Sequence, residues 1–141
     1  MGTWGIGPFE NDTAADFSYT LDEAAEDERE NIVRAALIRT IETDGYLDSN
    51  EGCEVVASAA LIAAQCPGGE PITTAYGPDQ PLPIFSADLR ALAVLALDRV
   101  LAADSELVEL WDDTESGLPW RRGVRDLRVV LLGTGVDQGV S

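Results

Sequence analysis

Glu10, Asp12 and Asp16 stand close together near the start of the chain, and a helix through them would place Asp12 and Asp16 one turn apart on one face. Oxygen ligands so placed, with Asn11 beside them, suit Mg²⁺ or Ca²⁺. A metal-dependent hydrolase or metal-binding domain would need these carboxylates to converge, with Glu51 or Glu54 from a later helix, around an open coordination position. The same residues also serve without an ion: Asp12 as a helix cap and Asp16 as a negative charge near the positive helix end. That simpler account is preferred, and no cofactor is expected.

Other chemistries are thin. The run from Asp44 to Gly52 resembles a calcium loop, but counting from Asp48 puts Cys53 where the sharp turn needs glycine and Ala59 where a bidentate Glu belongs. Pairs of carboxylates for glycoside hydrolysis arise by chance in a chain with 26 acids. The sequence has no His, and every one of its nine basic residues is Arg, which removes the commonest general base and every lysine Schiff base. Cys53 and Cys66 therefore have no His to activate them and read as two reduced thiols. Gly2, Gly5 and Gly7 open no strand–helix phosphate unit, and no phosphate-loop motif occurs.

Charge is the stronger signal. The formal net charge is −17, far beyond what solubility requires of a small domain. Nine acids fall within residues 1–30 against Arg29 alone, whereas Arg121, Arg122, Arg125 and Arg128 form a basic stripe near the other end. Direct binding to nucleic acid is not expected, because carboxylates do not release the counterions of phosphates. A basic protein partner fits better, with Glu26, Asp27 and Glu30 as the candidate contact residues. The arginine stripe is read mainly as balance for the chain's own acidic faces.

The elements that must position these groups are helical. Asn11 or Asp12 caps a first helix over about 13–22, and apolar residues recur at helical spacing over about 25–43, 51–65 and 86–103. A short helix from Asp104–Ser105 to Trp111 and a last one from Pro119 to Leu132 complete the set. The stretch 86–103, capped by Ser86, is the most apolar and reads as the central core helix, with Leu92, Ala93, Ala96 and Val100 inside. Trp4, Phe9, Trp111 and Trp120 read as core anchors. No segment alternates with period two. The expected fold is a single all-α domain over 1–141, an irregular bundle of five to six helices. It carries a turn-rich lead over 1–12, a long Pro/Gly-rich loop over 66–85 and a frayed tail over 133–141. No apolar run reaches membrane-spanning length, and the start lacks a signal peptide, so a cytoplasmic protein with no membrane association is expected; oligomeric state is left open.

The opening Met1-Gly-Thr-Trp-Gly-Ile-Gly-Pro-Phe-Glu-Asn-Asp-Thr-Ala-Ala-Asp-Phe17 resembles the start of a bacterial family known as domain of unknown function 4259. Tyr46-Leu-Asp48, the segment Asp104 to Trp111 and the Trp120-Arg-Arg helix are similar to the same family. The resemblance implies a small helical domain of bacterial, actinobacterial type, and it carries no assigned catalytic residues. A signature opening at Met1 is expected of a standalone protein. Together, charge and missing catalytic groups point to a non-catalytic acidic binding protein, most specifically an immunity or antitoxin-like inhibitor. The alternative is the metal-dependent reading on Glu10, Asp12 and Asp16.

Overall fold

Short polar side chains set where the helices begin. The computed structural model describes residues 5–72, 74, 76–80 and 82–133, and among them six helices follow one another: α1 Asp12–Glu23, α2 Glu26–Ile41, α3 Ser49–Ala63, α4 Asp88–Val100, α5 Glu106–Asp112 and α6 Gly117–Leu132. Asn11 caps α1, its side-chain oxygen accepting from the Ala14 N–H at 2.8 Å. Asp48 caps α3 and Ser105 caps α5 in the same way. No strand forms among the described residues; an isolated bridge joins Leu47 to Ser105. The architecture is an all-α bundle. Trp4 and residues 134–141, the expected anchor and tail, lie outside the described residues.

One helix lies at the centre, and it is α3 rather than α4. Every residue from Val55 to Ala63 is buried, and α3 packs against all five other helices. The reason is legible in the run Val-Val-Ala-Ser-Ala-Ala-Leu-Ile-Ala, which has no large polar side chain and so no face for water. In α4, by contrast, Asp88, Ala91, Leu95 and Asp98 recur at helical spacing as an exposed stripe. Leu95 is 54% exposed, and Leu92 is only partly buried. Counting apolar residues along α4 hid this stripe; Ala93, Ala96 and Val100 are buried as expected. Ser86 does not cap α4. Its hydroxyl donates instead to Glu30 at 2.8 Å, and α4 starts without a side-chain cap.

The connections are pinned. Gly45, at φ +86°, adopts a left-handed backbone that ends the α2 connection at low steric cost. The next residues then clamp onto the start of α5: the Leu47 N–H donates to the Asp104 carbonyl at 2.7 Å and the Glu106 N–H to the Leu47 carbonyl at 2.9 Å. The Tyr46 hydroxyl donates to Glu109 at 2.6 Å, and that carboxylate pushes its ionisation up to about 12. Between Ala63 and Asp88 the described residues form no helix or strand. That segment is tied down by Asp22, which accepts the N–H groups of Asp79 and Gln80 at 2.9 Å each, and by Gln65, which bonds the Pro83 carbonyl and the Phe85 N–H. No helix among the described residues is long and apolar enough to cross a membrane.

Leu97 is fully buried on α4, two residues from exposed Leu95. Leu97→Ala is expected to lower stability by about 2–5 kcal/mol. Leu95→Ala should stay within about 0.5 kcal/mol of the parent. Denaturant midpoints of the two variants measure the contrast; equal shifts would contradict the placement of this helix.

Candidate functional site

The arginines come first, because their placement decides which acids remain available. Arg29 is buried and donates to the Leu21 and Ala24 carbonyls at 2.8 Å each, closing the C-terminal end of α1, which has no cation of its own. Arg34 forks between Asp88 at 2.6 Å and Glu30 at 3.2 Å, fastening α2 to the start of α4. Arg39 meets Glu54 at 3.3 Å. Arg121 grips Asp112 through two nitrogens, and Arg128 grips Asp98 likewise. Arg90 donates to the Leu131 carbonyl, and Arg99 to the carbonyls of Asp104 and Gly45. Of the arginine stripe on α6, only Arg122 and Arg125 stand exposed with no bond to another described residue.

The pairing moves the carboxylates it touches. Asp88 and Asp112 are held below the usual carboxylate range, chiefly by their bonds to Arg34 and Arg121. Glu54 moves the other way: burial raises it more than the neighbouring Arg39 lowers it. The predicted partner-binding residues divide accordingly. Glu26 and Asp27 are exposed in the first turn of α2, while Glu30 is half-buried and spent on Arg34 and Ser86.

The carboxylates at the start of the chain are spread apart in role. Glu10 folds back on its own turn, accepting the Gly7 N–H at 2.9 Å. Asp12 and Asp16 are exposed on the first turns of α1, and the cap is Asn11. Among the described residues no group of three His, Cys, Asp or Glu side chains is placed to hold a metal ion. Cys53 is buried, and burial pushes its thiol up to about 12. Cys66 is half-buried and donates to the Ile62 carbonyl.

A groove with a cavity volume of about 530 Å³ lies between the turn at 6–10, α3, the segment at 68–72 with Thr74, and α6. Phe9, Val56, Ala60, Val124, Leu127 and Val130 make it apolar, and its charged lining residues are Glu10, Glu70 and Asp126. Two of the glycines that border it are there for different reasons. A side chain on Gly69 would collide with the Ala63 carbonyl at the end of α3, so the chain's own packing requires a glycine there. Gly123 lies inside α6 with nothing within 4 Å of where a Cβ would sit. A second depression of about 490 Å³ lies beside Cys66 and Phe85, but Gln65 and Arg90 there are already committed to backbone atoms and Ser86 to Glu30.

The family described as Domain of unknown function (DUF4259) matches residues 2–123, most of the chain. The chain belongs to that family. Comparison with curated proteins and with solved structures gives no match. The DUF4259 match spans the turn at 6–10, α3 and the segment at 68–72 with Thr74, and it ends at Gly123, on the last wall of the groove.

Sequence reasoning did not assemble this groove, because its walls come from four separate segments. One local signal was available: Gly123 interrupts an otherwise good helix-forming run between Trp120 and Leu132 with no turn residue beside it. Phe9, expected as a core anchor, is 2% exposed, and Trp120 is buried. Trp111 is half-buried and stacks on Trp120 with ring centres 5.8 Å apart and planes 10° from parallel.

Two measurements follow from this geometry. At pH 8 the thiolate fraction of Cys53 should be on the order of 10⁻⁴, so iodoacetamide should leave it unlabelled in the folded chain and label it once denaturant is added; peptide mapping reads both states. Gly123→Ala should raise stability by about 0.5–1 kcal/mol, since alanine is the better helix former and open space receives its methyl group. A lowered melting temperature would show that the fold itself needs this glycine.

Proposed function

We infer that the chain is a non-catalytic binding protein for a basic protein partner, working in the cytoplasm as an immunity or antitoxin-like inhibitor does. The observation that carries this reading is how the arginines are used. The ion pairs among the described residues engage only Glu30, Glu54, Asp88, Asp98 and Asp112, while three further arginines, Arg29, Arg90 and Arg99, donate to backbone carbonyls of α1, α6 and the connections. Most of the described acids form no ion pair with a described arginine, and they repel one another. A cationic surface relieves that repulsion and is drawn in by it.

The chemistry of the remaining groups supports the same reading. The chain has no histidine or lysine, and its buried thiol is held protonated. Glu26, Asp27 and Glu28 stand exposed at the start of α2, and Glu23 extends the acidic edge at the end of α1. Charges placed this way act on encounter more than on the final fit, so their signature is in the association rate.

The test is capture of partners from native lysate on immobilised chain at low salt, followed by kinetics with the purified partner. A basic protein is expected, with an association rate that falls about tenfold or more as salt rises from low to physiological levels and above. Glu26→Lys with Asp27→Lys should slow association while the melting temperature stays close to the parent's. Glu30→Lys should also destabilise the fold, because Glu30 holds Arg34 and Ser86. An acidic partner, or an association rate indifferent to salt, would remove this reading.

A further inference from the structure

The groove between the turn at 6–10, α3 and α6 pairs an apolar floor with a rim whose charges, among the described residues, are all negative. Glu70 and Asp126 make no hydrogen bond or ion pair with other described residues, and Glu10 gives one oxygen to the Gly7 N–H. Carboxylates left in water at the edge of an apolar groove do little for the fold. They suit an occupant that brings both hydrocarbon and positive charge.

Gly123 adds an independent observation. A glycine inside a helix weakens it relative to alanine, and here no neighbouring atom excludes a side chain. Gly69, across the groove, is forced by the Ala63 carbonyl; Gly123 is not forced by any described residue. What its missing side chain does is lower the α6 wall, so that another backbone or a large side chain can come close to Val124 and Leu127. A cavity of about 530 Å³ accepts several side chains from one face of a helix, at the i, i+3, i+4 spacing by which amphipathic helices enter grooves.

We propose that this groove receives the apolar face of a basic amphipathic segment of the partner, with Glu70 and Asp126 pairing its flanking cations. The proposal rests on the reading of the chain as a binder of basic proteins, and it names where the apolar part of that contact goes. The long-range acidic surface draws the partner in, and the groove selects a segment that carries apolar residues beside its cations.

The experiment uses the full chain and three labelled synthetic helical peptides: one of Leu and Lys, one with each Leu replaced by Ser, and one of Leu and Glu. Fluorescence anisotropy at physiological salt gives the affinities, and a thermal melt accompanies each variant. The Leu–Lys peptide is expected to bind and the Ser-containing peptide to bind far more weakly. Gly123→Trp should weaken the Leu–Lys peptide by about tenfold or more, the loss of one anchoring contact. Gly123→Ala, whose methyl group raises the wall only slightly, should weaken the same peptide far less than Gly123→Trp does. Glu70→Gln with Asp126→Asn should weaken the same peptide without lowering the melting temperature. If both basic peptides bind equally and Gly123→Trp affects neither, the groove assignment falls while the acidic-surface reading stands. If neither basic peptide binds, both fall. Binding of the Leu–Glu peptide that is lost in Arg122→Ala would overturn the charge assignment and put the exposed arginines of α6 in its place.

Discussion

The burial of α3 on nearly every side is the constraint on which the rest of the molecule depends. Five helices can reach one central helix only if its side chains leave room for them, and α3 supplies Gly52, Ala57, Ser58, Ala59, Ala60 and Ala63 for that purpose. Leu107 of α5 rests directly on Gly52, where a Cβ would lie 3.1 Å from its side chain. Val55, Leu61 and Ile62 fill the space between; each contributes about 1.5–3 kcal/mol by leaving water. The arrangement has a cost. The Ser58 hydroxyl, like those of Ser18 and Thr40, is buried without a partner among the described residues, so small size at these seams has taken precedence over satisfied polarity.

With the core set by small residues, orientation at the surface falls to arginine. A planar guanidinium can hold two oxygens in fixed directions, and in this chain it holds α2 against α4, α4 against α6 and α5 against α6. Exposed pairs of this kind add little to stability, roughly 0–1 kcal/mol each, so their contribution is to angle and register. Buried Arg29 acts differently, since it supplies the end of α1 with donors that this helix cannot supply itself. Lysine, with one compact charge on a flexible stem, would serve poorly in these roles. The all-arginine composition thus has a structural use apart from any partner.

Helix positions were legible because periodicity and caps are local. Asn11, Asp48 and Ser105 sit where a helix start needs a short acceptor, and the apolar positions of α1, α3 and α6 show their inner faces directly. Two features were not legible. Which of two apolar helices would be central depended on a four-residue stripe in α4, and composition averages a stripe away. Ser86 looked like a cap because its type and place were right, but Glu30, 56 positions distant in sequence, claims its hydroxyl. The groove belongs to the same class, since its walls come from four separated segments and only the packing of α3 against α6 brings them together.

Charge and groove act over different distances, and this decides how they can work together. At physiological ionic strength an exposed charge is felt over about 8 Å, so in the proposed interaction the acids of α1 and α2 would act on the approach of a basic partner and lose their individuality at contact. The apolar floor acts only at contact and contributes in proportion to the area it covers. Long-range charge alone would admit any cationic surface, including those of unrelated proteins. An apolar groove alone would attract hydrophobic segments without regard to charge. In the proposed interaction the two requirements, joined at one rim through Glu10, Glu70 and Asp126, would exclude each other's false partners, because a segment would need cations to be drawn in and apolar residues to stay. Selectivity of this kind needs no catalytic group. It does need a fold that spends most of its own cations internally and leaves the rim acids unpaired, which is how the described arginines are arranged.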